Sequence, residues 1–360
     1  MQPLYIDPDI SRAATLPATF YSSPEWFALS KEKIFAKSWQ FCLGNEVFNA
    51  EHSLVPFTLL PGFLSEPLLF VQDEKTLRCL SNVCTHRANL LVNAPCKADK
   101  IKCGYHGRRF NLCGEMLHMP EFSQTQNFPS PTDNLPSIPC EQLNPFIFVS
   151  LDPKISFQDT FMEMKERLYW LPWEELRFDS SRSRDYEVKA HWALYCENYL
   201  EALHIPFVHP SLRENIDCTT YTTEIYNYSN LQLALAKDDE EHFNIPPGAR
   251  DYGKKVAAYY YWIFPNTMLN FYPWGCSVNV VKPIHPELTQ VSFYSYVLDA
   301  SKLGKGAGGA LDQVELEDEA VVESVQQGIK SRFYHAGRFS PTKEQGTHHF
   351  QRLLCEFLKD

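Results

Sequence analysis

Apolar positions change their spacing twice along the chain. Between Ser23 and Phe35, the residues Trp26, Phe27, Leu29, Ile34 and Phe35 recur at helical intervals. Pro24 stands just inside the start of this segment, where a missing N–H costs nothing, and the spacing predicts a short helix. From Trp39 to about Leu151 the apolar runs shorten. Ser53 to Leu60, Pro67 to Gln72 and Phe146 to Leu151 read as strands between clusters of Gly, Pro and Asn, the pattern of a small all-β domain. Past Asp152-Pro153 helical patterns come first. Val256 to Phe264 and Val291 to Leu298 follow, dense in Tyr, Phe, Trp and Val, as in strands of a large antiparallel sheet. Asp238 to Gly248 and Gly304 to Gly309 read as flexible loops. A last stripe, Phe350, Leu353, Leu354, Phe357 and Leu358, has helical spacing and docks the C-terminal end onto the core. The pattern predicts an α+β chain. Residues 38–151 form a small all-β domain, and residues 1–37 with 152–360 form a larger domain, an antiparallel sheet flanked by helices.

Composition narrows the partners. The 360 residues, 44% hydrophobic and without a low-complexity tract, suffice for one large or two medium domains. With 33 Lys+Arg against 44 Asp+Glu the formal charge is −11, the wrong sign for neutralising phosphates or anionic lipid, so neither nucleic acid nor a membrane is an expected partner. No stretch approaches the roughly 18 to 20 apolar residues that span a bilayer, and no basic segment precedes an apolar one at the start. Eleven cysteines, an odd number spread over a long chain, do not suit a secreted disulfide framework. The expected location is the reducing cytoplasm, where cysteines stay free or bind metal. There is no internal repeat and no phosphate-binding Gly motif, so a nucleotide site is not expected.

Two of the cysteines have partners at ligand spacing. Cys84-Thr85-His86 is followed after sixteen residues by Cys103-Gly104-Tyr105-His106, so each of two turns supplies one Cys and one His. Zinc is the competing reading, but zinc sites usually pair Cys with Cys and His with His. One Cys and one His per turn lets both thiolates hold one iron and both imidazoles the other, the chemistry of a Rieske [2Fe–2S] centre. Gly104 and Gly107 flank the second pair and permit a tight turn. The remaining nine cysteines form no second set and read as small buried hydrophobes. Cys79-x4-Cys84 begins a plant-type ferredoxin motif, but Arg87 stands where its third cysteine would be.

A second constellation follows at Cys196 to His209. On a helix Glu197, Glu201 and His204 fall at i, i+4 and i+7, on one face. Pro206 removes the N–H that would bond back to Ala202 and bends or ends the helix, and the turned chain lets His204 and His209 reach one metal. Two histidines and one carboxylate on one face of iron(II) leave positions for O2 and substrate. The run Glu315-Leu316-Glu317-Asp318-Glu319 offers the carboxylate. Asp318 shares a helical face with Val321, Val322, Val325 and Ile329 and points inward, while Glu315, Glu317 and Glu319 suit a solvated helix start.

These motifs resemble the Rieske non-haem iron oxygenases, the ring-hydroxylating oxygenase alpha subunits. The likeness runs over roughly residues 39 to 355 and rests on Cys84-x-His86, Cys103-x-x-His106 and Asn198-x-x-Glu201-x-x-His204-x4-His209. It extends to the Asp318 segment and, in the wording around Tyr259 to Trp274 and Gly337 to Phe350, to the choline and carnitine monooxygenase branch. The resemblance implies a [2Fe–2S] cluster on Cys84, His86, Cys103 and His106, and mononuclear Fe(II) on His204, His209 and Asp318. Asn198 and Glu201 stand beside that iron. Glu201 replaces the usual Asp that bridges a cluster histidine of a neighbouring subunit to an iron histidine. The resemblance also implies a homotrimer, a separate NAD(P)H-dependent reductase with or without a ferredoxin, O2, and a small organic substrate that is hydroxylated or oxidatively dealkylated. The aromatic run Tyr259 to Trp274 suits a quaternary amine by cation–π attraction or an aromatic compound by stacking, with half of it expected in ordinary sheet core. His348 and His349 are assigned to packing or surface. A Rieske-type electron carrier or redox sensor without oxygenase activity is the alternative.

Overall fold

A computed structural model describes residues 3–73, 76–217, 220–237, 240–309 and 311–359. Asp238 and Asp239 of the first expected loop, and Cys218, lie outside the described residues. The chain divides into two compact units, Trp39–Pro153 and a second assembled from Met1–Ser38 with Lys154–Asp360.

Short antiparallel sheets build the smaller unit. Leu54–Leu59, Glu66–Asp73, Thr76–Ser81 and Ser137–Ile138 form one, and Gln40–Gly44, Phe146–Val149 and Cys140–Leu143 another. The third joins Ile101–Lys102, Arg109–Phe110 and Met116–His118. Leu54, Leu69, Val71, Leu80, Ile101 and Phe110 make a core that also takes in Cys84 and Cys103.

The larger unit is organised by an antiparallel sheet with seven strands among the described residues. Their order is Arg177–Val188, Leu288–Val297, Gly275–His285, Thr267–Tyr272, Val256–Ile263, Ser229–Leu235 and Thr222–Ile225. Successive side chains of a strand point to opposite faces, so Val256–Ile263 sends Tyr259 and Tyr261 one way and Tyr260 and Trp262 the other. The Tyr261 hydroxyl donates to Glu163 Oε2 at 3.0 Å, on the helix Phe157–Arg167. Arg167 of that helix is buried and forks onto Asp251, Nε to Oδ2 at 2.7 Å and Nη2 to Oδ1 at 3.0 Å. Trp262 packs edge-on against Phe350 of the C-terminal helix Gln345–Leu358, ring centroids 5.3 Å apart. With both faces covered, every residue of Val256–Ile263 is buried, and the run shows no polar alternation.

The N-terminal segment folds into this unit. Its helix is Pro24–Lys33, capped by Ser23 Oγ, which accepts from Trp26 N at 3.2 Å. The expected loops are not free. Phe243 and Ile245 are buried, and the Phe243 N–H donates to Val256 O at 2.8 Å. Gly306–Gly308 is a 3-10 turn against the sheet, and a Cβ on Gly308 would sit 2.3 Å from Trp274 Nε1. Glycine content marked flexibility in the sequence, whereas here it permits close approach.

Gly346 makes the other close approach. A Cβ there would lie 2.3 Å from the Leu200 carbonyl oxygen, so the missing side chain lets the C-terminal helix rest on the chain just after Tyr199. Gly346→Ala must separate the two and is expected to destabilise the protein by about 1–3 kcal/mol, the usual cost of overpacking, read as a lowered urea midpoint.

Candidate metal centres

The small unit presents its four metal-type side chains on two matching loops. Cys103 to Arg108 connects the strands Ile101–Lys102 and Arg109–Phe110, and the isolated bridge Val83–Leu90 brackets Cys84 to Asn89 in the same way. In each loop the Cys N–H donates to the carbonyl five residues on, Asn89 O at 2.9 Å and Arg108 O at 2.8 Å. The Cys carbonyl in each accepts from the residue four on, Ala88 and Gly107, both with positive φ (55° and 76°). Gly107 therefore serves the turn. Gly104 has no such φ and open space around it. Cys84 and Cys103 are buried and hydrogen-bond each other, while His86 and His106 are half-buried with ring centroids 4.8 Å apart. His106 Nδ1 is buried with no hydrogen-bond partner among the described residues, as suits an atom that binds a metal.

Arg108 ties the loops together, a role the sequence reading missed. It is buried, and its guanidinium donates to Thr85 Oγ1 and to Asp133 Oδ1, both at 2.7 Å. Thr85 Oγ1 donates in turn to Asp133 O at 2.7 Å.

In the large unit the expected helical face does not form. The helix Trp192–Tyr199 ends before Glu201, with Leu200 as its C-cap, so Glu197 and Glu201 do not share a face. The Glu201 carboxylate explains the break: its Oε2 accepts the backbone N–H groups of Leu203 and of His204, the latter at 3.2 Å, in place of helical carbonyls. Pro206 acts seven residues after the helix has ended, inside the short helix Ile205–Val208 that His204 and His209 flank. Glu197 turns away from the metal donors. Its Oε1 accepts from Tyr21 Oη at 2.7 Å and Gln351 Nε2 at 2.9 Å.

His204, His209 and Asp318 nevertheless converge, one ligand atom from each lying within 4.8 Å of the others. Asp318 Oδ1 is 3.0 Å from His209 Nε2 and 3.6 Å from His204 Nε2. Bonds of about 2.1 Å at right angles set cis ligands about 3 Å apart, so the donors suit a six-coordinate metal after small shifts. Each Nδ1 is taken by a carboxylate, Glu201 Oε1 on His204 at 2.5 Å and Glu317 Oε2 on His209 at 2.7 Å. Both Nε2 atoms are thereby left for a metal. Asn198 Nδ2 donates to Asp318 Oδ1 at 2.6 Å and orients it. Burial opposes charge on His209, but Asp318 and Glu317 outweigh it and raise its pKa. The same two carboxylates supply the negative potential a metal cation needs.

The helix Leu311–Ile329 is rotated from its expected face. Its buried residues are Glu315, Val322, Gln326 and Ile329, while Val325 is exposed. Polar residues are buried because they are partnered: Gln326 Oε1 accepts from His191 N at 2.9 Å, and Glu315 Oε2 from Tyr195 Oη at 2.5 Å. Glu315 and Glu317 are thus not a solvated helix start. Their spacing of three and one from Asp318 was the available signal. A cavity opens at the three metal-type donors, lined by Tyr195, Tyr199, Tyr221, Tyr260 and Tyr272 among others. Tyr259, Tyr261, Trp262 and Phe264 are sheet core instead. His348 Nε2 meets Asp7 O at 2.8 Å, and burial pushes the His349 pKa down to about 4, so both belong to packing.

A small β unit with paired Cys/His loops and a sheet-and-helix unit with a two-histidine, one-carboxylate cluster define the oxygenase component of a Rieske non-haem iron system. The chain belongs to that family: the description "Ring hydroxylating alpha subunit (catalytic domain)" matches residues 175–360, and "Rieske [2Fe-2S] domain" matches residues 61–129. It is 29% identical to the carnitine monooxygenase oxygenase subunit of Escherichia coli (strain K12), covering 97% of this chain and 95% of that one. It is 28% identical to the chloroplastic choline monooxygenase of Beta vulgaris, covering 98% and 79%. The solved structure of the quaternary ammonium Rieske monooxygenase CntA with L-carnitine shares the fold, with a TM-score of 0.76 at 24% identity over 98% of this chain and 97% of that one. The chain is an oxygenase of this class and not a stand-alone electron carrier or redox sensor. The family uses a Rieske [2Fe–2S] cluster and a mononuclear iron, and its alpha subunits work with separate reductase partners on small molecules.

Glu197 makes stability depend on pH. Burial raises its carboxyl to about 7 from 4.5, with the Tyr21 and Gln351 donors pulling the other way. A folded pKa above the unfolded one means stability is full below about 4.5 and falls as pH rises to about 7, by up to roughly 3 kcal/mol. Glu197→Gln removes this loss, so urea midpoints of variant and wild type should shift in favour of the variant between pH 5 and pH 8.

Proposed function

We propose that Cys84, His86, Cys103 and His106 hold the [2Fe–2S] cluster in the domain of residues 39–153, and that His204, His209 and Asp318 hold the mononuclear iron(II) in the domain of residues 1–38 and 154–360. The observation that carries the second assignment is the convergence of two Nε2 atoms and one Oδ1 at a tyrosine-lined cavity, with both Nδ1 atoms taken by carboxylates. Iron bound there supplies O2 activation and oxygen insertion into the substrate. The chain's part is to fix both tautomers through Glu201 and Glu317, to orient Asp318 through Asn198, and to hold the substrate in the cavity.

The substrate we infer is a quaternary amine, hydroxylated or oxidatively dealkylated. Five tyrosines lining the cavity support this by cation–π attraction, and the names of the relatives point the same way. The assembly we infer is a homotrimer in which Glu201 links His204 to a cluster histidine of the neighbouring copy. Leu203 and Phe207, 44% and 83% exposed, flank His204, and Tyr105, 60% exposed, adjoins His106. Apolar surface at both centres suits a head-to-tail contact that closes into a ring. The reductase draws on NAD(P)H, with or without a ferredoxin between. The location is cytoplasmic. Among the described residues no helix is long and apolar enough to cross a membrane, and the charge of −11 disfavours nucleic acid and anionic lipid.

Purified protein should be brown and carry about three irons per chain. His204→Ala or Asp318→Ala should lose about one of them, keep the Rieske spectrum and lose O2-dependent product. Retained product would overturn the ligand assignment. In a reductase-coupled screen, quaternary amines should yield formaldehyde, another aldehyde or an alcohol while aromatic acids remain unchanged. Turnover of the acids alone would reverse the substrate class.

A further inference from the structure

One turn before Asp318, Glu315 lines the cavity and is only 3% exposed. Its Oε2 accepts from Tyr195 Oη at 2.5 Å, and its Oε1, also buried, has no hydrogen-bond partner among the described residues. Gln232, on the strand Ser229–Leu235, also lines the cavity, and its Oε1 is buried with no hydrogen-bond partner among the described residues. Among the described residues that line the cavity there is no Lys or Arg. Burial raises the Glu315 carboxyl far above its ordinary range. The Tyr195 hydroxyl pulls it back, and Asp318, Glu319 and Asp312 push it further.

An acid buried without a cation beside it is costly, and an apolar residue would fill the same volume at lower cost. A neutral aromatic guest would leave both free oxygens unsatisfied. A guest with a positively charged nitrogen would favour the ionised form of Glu315, whose proton passes to solvent as the guest enters, and would set its methyl groups against the tyrosine faces. We propose that Glu315 is the counter-ion for the substrate's cationic nitrogen and the residue that selects an onium compound over an uncharged one of the same shape. The proposal rests on the reading of this cavity as the substrate site and adds the side chain that reads the charge.

The test compares choline with its carbon isostere 3,3-dimethylbutan-1-ol by calorimetric titration of the holoenzyme. The wild type should bind choline at least about tenfold tighter, and Glu315→Gln should cut that preference about tenfold with iron content and Rieske spectrum unchanged. Glu315→Met removes the carboxyl group at the cost of the Tyr195 hydroxyl's acceptor, and with its iron content and Rieske spectrum matching the wild type it should bind the alcohol better than choline. Asp312→Asn, a loss of the same charge from the exposed side of the helix, should leave the preference intact. A wild type with no preference overturns the onium reading of the cavity. A preference that survives in both Glu315 variants overturns the role of Glu315 alone and leaves the cavity's assignment standing.

Discussion

Two imidazoles and a carboxylate can face one point only if something holds them there, and in this chain other carboxylates do it. Glu201 takes His204 Nδ1 and Glu317 takes His209 Nδ1, which turns both Nε2 atoms toward Asp318. Each contact sets a tautomer and a ring angle at once. The local backbone follows from the same need. Glu201 accepts the Leu203 and His204 N–H groups, ends the preceding helix early, and swings the histidines out of register with Glu197. A continuous helix through Glu201 and His204 would have kept Glu201 from capping this turn.

The sheet gives the site its rigidity. The helix Trp192–Tyr199 is capped by His191, whose Nδ1 accepts from Ala193 N at 3.2 Å. Burial pushes the His191 pKa down to about 3, and the neutral ring keeps a nitrogen free to accept. The His191 N–H reaches Gln326 on the helix that carries Asp318, so the two helices bearing Asn198 and Asp318 are joined at their buried faces. Tyr199 Oη donates to Asn270 Oδ1 at 2.7 Å and Gln232 Nε2 to Tyr199 O at 2.6 Å, which fastens the same helix to the strands beneath. The cavity is the space left where these elements meet the pocket face of the sheet. Tyr260 and Asn270, paired across adjacent strands, both line it.

Legibility in the sequence followed how local the information was. Helix starts at Ser23, strands such as Val256–Ile263 and the C-terminal helix were readable within a residue or a few, because they depend on periodicity and caps. Glu315, Glu317 and Gln326 were not. A polar residue in a helix pattern is read as solvated unless its partner is known, and their partners Tyr195, His209 and His191 lie over a hundred residues away. The glycine-rich turn at Gly306–Gly308 misled for a related reason: whether a glycine loosens a chain or lets it pack depends on what lies opposite, here Trp274.

By itself the sequence determined the chemical vocabulary: one Cys and one His on each of two turns, two histidines five apart, an acidic helix start, and an aromatic strand pair. These are short-range facts, set by residue type and spacing. Only the tertiary structure decided which acids serve the metal donors, which one lies buried at the cavity, and which tyrosines face the pocket rather than the core. Those outcomes depend on desolvation and on hydrogen bonds between distant segments, and a burial cost has no value until the fold has brought its partner near or left it absent.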